Sequence, residues 1–113
     1  MTPDERQFLK TAAWMFMRHG QRARALAVCE ALMEEDARDG VVAVALAGLL
    51  LDEGETARAL ELLRAAEVPF SLAHAAAVLE TRALRKLGRD AEAADRWSRY
   101  VEARKGAARK WTA

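Results

Sequence analysis

Apolar residues recur along this chain at spacings of three and four, with polar residues between them, which is the pattern of amphipathic helices. The stripe is clearest in Ala25, Cys29 and Leu32, and again in Leu60 and Leu63. Short polar breaks, most of which contain a glycine or a proline, interrupt the pattern. Their positions predict six helices arranged as three consecutive pairs, and therefore an all-α fold.

Residues suited to helix ends mark several boundaries. Thr2, Asp39 and Ser71 are expected to cap the first, third and fifth helices, because short polar side chains accept hydrogen bonds from free amides. The sixth helix is expected to start near Asp90, and the segment after Gly106 is expected to fray, as chain ends commonly do.

One short phrase, Gly-x-x-Ala-x-Ala, occurs three times along the chain at a constant interval. The glycine of each copy is expected to end the first helix of a pair, because that position needs a left-handed backbone, which glycine adopts without steric cost. The last alanine of each copy is expected where two helices cross too closely for a longer side chain. These repeat positions are Gly20, Ala25, Gly54, Ala59, Gly88 and Ala93.

The interval between the three glycines matches the period of tetratricopeptide repeats, about 34 residues, in which each unit is a pair of helices. The spacing predicts a single domain over residues 1–105, with repeats at about 6–39, 40–73 and 74–106, and a C-terminal tail over 106–113. The three pairs are predicted to form a short right-handed solenoid with a concave groove.

The first helix of each pair lines the concave face of such a solenoid. The side chains expected there are apolar at the centre and basic at one end, and such an apolar patch needs a cover. Either a partner's amphipathic helix fills the groove, or the chain's own C-terminal segment folds back into it. The predicted groove residues are Lys10, Trp14, Met17, Val41, Val44, Gly48, Leu51, Val78, Arg82 and Arg85.

The aromatic residues have two interpretations. Trp14 is the candidate anchor for a partner, because tryptophan is enriched at the centres of interfaces. The alternative is that Trp14 packs against the second helix of its own pair. Trp97 and Tyr100 are expected in the core of the last pair.

Charge is distributed unevenly along the chain. Residues 1–81 hold 8 Lys and Arg against 13 Asp and Glu, whereas residues 82–113 hold 10 against 4. A basic C-terminal third suits an acidic partner or nucleic acid. No aromatic or glycine-rich nucleic-acid motif accompanies it, so a solvated helix face is favoured and no nucleic-acid partner is predicted.

Residues that suggest catalysis or metal binding are few. Cys29 falls at an inward position and is expected to be a small buried hydrophobe. His19 and His74 have no partners at metal-ligand spacing, and neither Ser71 nor Ser98 lies in a nucleophile motif. We therefore expect no enzymatic activity, no metal and no cofactor.

The chain carries no feature expected of an exported or membrane protein. A single cysteine excludes an internal disulfide and favours a reducing compartment. No signal peptide is recognised, and the longest apolar run, residues 41–51, is shorter than the roughly 20 residues that cross a bilayer. The abundance of alanine and arginine is compatible with a GC-rich bacterial gene, and a cytoplasmic location without membrane insertion is predicted.

Three stretches resemble a particular group of tetratricopeptide proteins: the opening helix from Glu5 to Trp14, the turn after His19, and the stretch from Gly88 to Tyr100. In these stretches and in length the chain is similar to small three-repeat chaperones of bacterial type III secretion, of the YscY (SctY) type. The resemblance implies a heterodimer with a secreted client of the YscX type. It further implies that the groove holds this client and that the complex is presented to the export gate.

Two other functions stay open at this point. The needle-subunit co-chaperones (YscG type) share the same repeat architecture. A scaffold that self-associates through its apolar surface is the third possibility. The chain departs from the usual repeat at Glu80, which occupies a position that is normally apolar.

Overall fold

The computed structural model describes residues 1–112, and within that range the chain forms six α-helices, one turn of 3-10 helix and no strands. The predicted all-α fold is therefore confirmed. The helices are α1 (Pro3–Arg18), α2 (Arg22–Glu35), α3 (Gly40–Asp52), α4 (Thr56–Ala65), α5 (Ala73–Lys86) and α6 (Asp90–Thr112), and the 3-10 turn is Phe70–Leu72.

Each helix packs against the next helix in the chain. The closest partners are α1 with α2, α3 with α4, and α5 with α6, while α2 with α3 and α4 with α5 join successive pairs. In addition, α3 contacts α5 directly. The helices that begin the second and third pairs therefore lie beside each other, and α3 is covered from several sides.

Three matching helix endings, one in each repeat, explain the repeated glycines. Gly20, Gly54 and Gly88 all have a left-handed backbone, with φ values of 71°, 83° and 75°. At the first ending, the Gln21 amide donates to the Phe16 carbonyl over 2.8 Å, which is the long hydrogen bond of a Schellman motif. The same bond recurs at the ends of α3 and α5. The role predicted for these glycines is confirmed.

The repeated alanines are buried. Ala25, Ala59 and Ala93 have no exposed surface, as expected for positions at a close helix crossing. A larger side chain at any of them would overpack the crossing. One position in the first helix of each pair is buried as well, namely Ala13, Ala47 and Thr81.

Two of the three predicted helix caps are confirmed. The Glu5 amide donates to the Thr2 hydroxyl over 3.1 Å. The Asp39 carboxylate accepts from the Val41 and Val42 amides at 3.1 and 3.2 Å. Each bond satisfies an amide that has no partner within the first turn of its helix.

The prediction that Ser71 caps the fifth helix is wrong. Pro69 instead opens the 3-10 turn, in which the Leu72 amide donates to the Pro69 carbonyl over 2.9 Å. The α-helix then begins at Ala73, beyond Ser71, and its first amides receive no side-chain cap. The turn itself thus replaces the cap.

The segment after Gly106 was expected to fray, but α6 continues through it to Thr112. Alanine, arginine and lysine surround this glycine and favour a helix enough to offset its cost. The last residue, Ala113, lies outside the described residues. Although α6 is 23 residues long, its residues are largely polar. Within residues 1–112, no helix combines the length and the apolar character needed to cross a membrane.

Candidate partner-binding groove

A cavity of about 610 Å³ lies between the C-terminal halves of α1 and α3. Four predicted groove residues line it, namely Met17, Val44, Gly48 and Arg82. No atom lies within 4 Å of where a Cβ on Gly48 would stand, so this residue leaves open space in the cavity. Because Arg22 belongs to α2 and Arg82 to α5, four helices contribute to this site.

The charges at this cavity are partly paired. Arg22 and Asp52 form an ion pair over 3.5 Å on its rim. Arg82 is exposed, and so is Arg85 one turn further along α5. Within residues 1–112, neither of these two arginines forms a salt bridge with a carboxylate. Among the residues that line this cavity, the arginine without a carboxylate partner is therefore Arg82 of α5.

A second cavity, of about 320 Å³, lies beside the N-terminal parts of α1 and α3. Lys10, Trp14 and Val41 line it, together with Gln7. Trp14 is 51% exposed and Val41 is 47% exposed. The guanidinium carbon of Arg18 lies 4.8 Å from the centre of a Trp14 ring, a cation–π contact. Trp14 is therefore not buried within its own pair and is accessible to a partner.

The two cavities follow each other along α1 and α3 and include seven of the ten predicted groove residues. None of the residues that line either cavity belongs to α6. That helix packs against α5 instead. Through Thr112, the C-terminal segment therefore leaves the groove uncovered.

Three predicted groove residues lie elsewhere. Leu51 is a correction, because its side chain is only 1% exposed and is part of the core. It turns inward because α3 is contacted by α2, α4 and α5, which cover most of its circumference. Val78 is half-buried and Arg85 is exposed, and neither lines one of the two cavities.

Lys10 has a different role from the other basic groove residues. Its ammonium lies 2.7 Å from the Asp39 carboxylate, which also pairs with Arg6 at 2.8 Å. Burial alone would raise the pKa of the Asp39 carboxyl, but hydrogen bonds from Lys10, Arg6 and a backbone amide outweigh it. These bonds lower the pKa from 3.8 to about 2. The Lys10 charge is thus neutralised within the molecule.

Comparison with known proteins adds no identification. No family model, no curated protein and no solved structure matches this chain. The residues of the groove therefore carry the functional interpretation.

Cys29 is buried beside Ala25 and Leu32 on the inward stripe of α2. Burial raises the pKa of its thiol to about 11, with a smaller contribution from the negative charge of Glu30. At neutral pH the thiol therefore stays protonated, and only the thiolate is a strong nucleophile. Among residues 1–112, no group of three or more His, Cys, Asp or Glu is placed to hold a metal ion.

A third cavity, of about 590 Å³, was not predicted from the sequence. It lies between the start of α5 and the middle of α6 and is lined by Phe70, His74, Tyr100 and Arg104, among others. His74 packs edge-on against Tyr100 and Trp97, with ring centres 5.7 and 6.0 Å apart. Trp97 and Tyr100 were expected in the core, but both are only half-buried and form an aromatic cluster with the exposed His74. Their spacing was the available signal for this site.

Proposed function

We propose that this protein is a tetratricopeptide-type chaperone with three repeats that form a short right-handed solenoid. In this proposal it binds a helical segment of a secreted client in the groove along α1 and α3. The observation that carries the proposal is that seven predicted groove residues surround two neighbouring cavities that α6 leaves uncovered. The resemblance to YscY-type chaperones supplies the biological setting, namely a cytoplasmic bacterial chaperone of type III secretion.

Binding is driven by burial of apolar surface. Trp14 and Val41 are about half exposed, and Met17 lies between the core and the larger cavity. A client helix with an apolar stripe removes these side chains from water, which contributes about 25 cal/mol per Å² before the cost of ordering the client. The client's own apolar stripe is covered at the same time, which keeps it soluble until export.

The client's orientation is set by charge. Arg82 and Arg85 are exposed on the α5 side, whereas Lys10 is occupied by Asp39. Acidic residues at one end of the client helix therefore find partners on α5, whereas Lys10 is already paired within the molecule. Such rim charges contribute more to orientation and association rate than to affinity. A YscX-type client in a heterodimer is the favoured partner, and a needle-subunit client (YscG type) would use the same groove.

The test is co-purification with candidate clients encoded by adjacent reading frames, followed by a binding titration. Trp14→Ala is expected to weaken binding by about 2 kcal/mol, which is roughly thirtyfold, because tryptophans at interface centres carry much of the affinity. Trp111→Ala is the matched control, because Trp111 is also exposed but lies at the end of α6. It is expected to leave the affinity unchanged.

Val41→Asp is the second variant. It introduces a charge into the groove at an exposed position and should abolish capture while the helical circular dichroism signal is retained. Val44→Asp is unsuitable because Val44 is buried, and a charge there would unfold the core. Capture that survives both Trp14→Ala and Val41→Asp would refute the groove. Self-association of the purified chain that Val41→Asp abolishes would favour a scaffold instead.

A further inference from the structure

One face of α1 belongs neither to the core nor to the groove. Phe8, Ala12 and Met15 lie on it, because spacings of four and three place residues on one stripe of a helix. Phe8 is 72% exposed and Met15 is 43% exposed. Two large apolar side chains of the first helix therefore stand in water, where repeat arrays usually present a polar cap.

The same stripe is covered in the other two pairs. Its equivalent in the second repeat lies on α3, and its equivalent in the third repeat lies on α5. In each case the second helix of the preceding pair packs alongside: α2 packs against α3, and α4 packs against α5. The equivalent residues are all buried, namely Val42, Leu46 and Leu49 in α3, and Ala76, Glu80 and Ala83 in α5. A packed helix is thus what covers this stripe elsewhere in the molecule, and α1 has no preceding pair to supply one.

The charges beside the stripe have opposite signs at the two ends of α1, so they are complementary to those of a second, antiparallel copy. Asp4 and Glu5 lie near the start of α1, and Arg18 and His19 lie at its end. Within residues 1–112, no ion pair involves Asp4, Glu5 or Arg18. An antiparallel copy of α1 would place Glu5 opposite Arg18 of that copy and Asp4 opposite its His19. It would also place Phe8 against Met15 of the copy. These three pairings fit a single twofold axis because each is centred between residues 11 and 12.

We propose that the stripe of Phe8, Ala12 and Met15 binds α1 of a second copy of this chain, antiparallel about a twofold axis. Such an interface is isologous, so each contact occurs twice. Trp14 and Met17 lie on a different face of α1, which leaves both grooves of the dimer open. The dimer therefore forms with or without a client, and its existence does not depend on the proposed chaperone function.

Light scattering and sedimentation of the purified full chain over a wide concentration range test the dimer. The mass is expected to rise from the 12.5 kDa of one chain toward twice that value. Phe8→Arg is expected to hold the mass at one chain, without loss of helicity, because Phe8 is largely exposed. Phe70→Arg is the matched control, since Phe70 is an exposed aromatic residue far from α1 in sequence. It should dimerise like the unmodified chain.

A charge exchange tests the antiparallel geometry. Glu5→Arg or Arg18→Glu alone places like charges opposite each other at two symmetric positions and should weaken dimerisation by about tenfold. The double variant restores opposite charges and should recover the dimer. A one-chain mass at all concentrations would overturn the proposal and leave the stripe to a different protein or to solvent. A dimer insensitive to Phe8→Arg, or a double variant that fails to recover it, would also overturn it.

Discussion

The junction between the first and second helix pairs differs from the junction between the second and third. At the first junction, Asp39 caps α3 and binds two cations, Arg6 and Lys10. The equivalent residue of the next repeat is Ala73, which has no side chain that caps or pairs. An isolated parallel β-bridge between residues 39 and 67 joins the two junctions, because Asp39 precedes α3 and Glu67 follows α4.

At the second junction the buried carboxylate is Glu80, in the middle of α5. Its oxygen lies 3.1 Å from Arg96 of α6 and 4.0 Å from Arg64 of α4. Glu80 occupies a position that is normally apolar in the repeat, and its carboxylate joins α4, α5 and α6 through ion pairs. The same spacing of glycines and alanines thus recurs along the chain, whereas different side chains hold successive pairs together. A carboxylate at a helix start also gains from free amides, which a carboxylate at mid-helix cannot reach.

The largest expected effect is at the backbone contact between the two junctions. A Cβ on Gly40 would stand 2.1 Å from the Glu67 carbonyl oxygen, so Gly40→Ala forces two backbone segments apart. We expect it to lower the free energy of unfolding by about 3 kcal/mol, measured by urea denaturation. Gly48→Ala is the control, since its Cβ meets no atom within 4 Å. A helix-interior alanine there should stabilise the protein by about 0.5–1 kcal/mol. Equal stability of the two variants would contradict the close contact.

The second prediction isolates the charge of the first junction. Asp39→Asn keeps a side chain that caps helices well but removes the ion pairs with Arg6 and Lys10. Because the pKa of Asp39 is lowered from 3.8 to about 2, this charge stabilises the folded chain above about pH 4. The stabilisation is about 2 kcal/mol at neutral pH and is lost as the pH falls through about 2.

The measurement is the free energy of unfolding of both proteins at several pH values. The difference in free energy of unfolding between the unmodified protein and Asp39→Asn should be largest at pH 6, decrease below about pH 4, and nearly vanish near pH 2. A gap that is constant from pH 6 to pH 2 would show that Asp39 acts through its cap alone. Asp39→Ala should cost about 1 kcal/mol more than Asp39→Asn, because it removes the cap as well.

The smallest expected effect is at the second junction. Glu80→Gln keeps the shape of the side chain but removes the charge that faces Arg96 and Arg64. Arg64 is nearly half exposed and its contact is long, so solvent screens much of the interaction. We expect a loss of about 1 kcal/mol, mostly from the bond to Arg96. Thermal unfolding of Glu80→Gln and Asp39→Asn, measured side by side, compares the two losses of stability. A larger loss for Glu80→Gln would contradict the expectation that the charge at the first junction contributes more.

The local features of the fold could be predicted from the sequence. The left-handed glycines, the buried alanines, and the caps at Thr2 and Asp39 each depend on a few neighbouring residues and on helix geometry. Seven of the residues predicted for the groove line the two cavities, because a constant spacing places equivalent residues on the same face of successive helices. The prediction that Ser71 caps α5 was wrong because Pro69 and the residues after it form a turn instead of a helix start.

Which side chains meet across helices depends on the packing of the whole chain. Leu51 is buried instead of lining the groove, because neighbouring helices cover most of α3. Lys10 pairs with Asp39, and Glu80 pairs with Arg96, although the partners of each pair lie far apart in the sequence. Helical periodicity determines the direction in which a side chain points around the axis of its own helix. The partner it reaches depends on how far apart two helices lie and at what angle they cross, which no short stretch of sequence encodes.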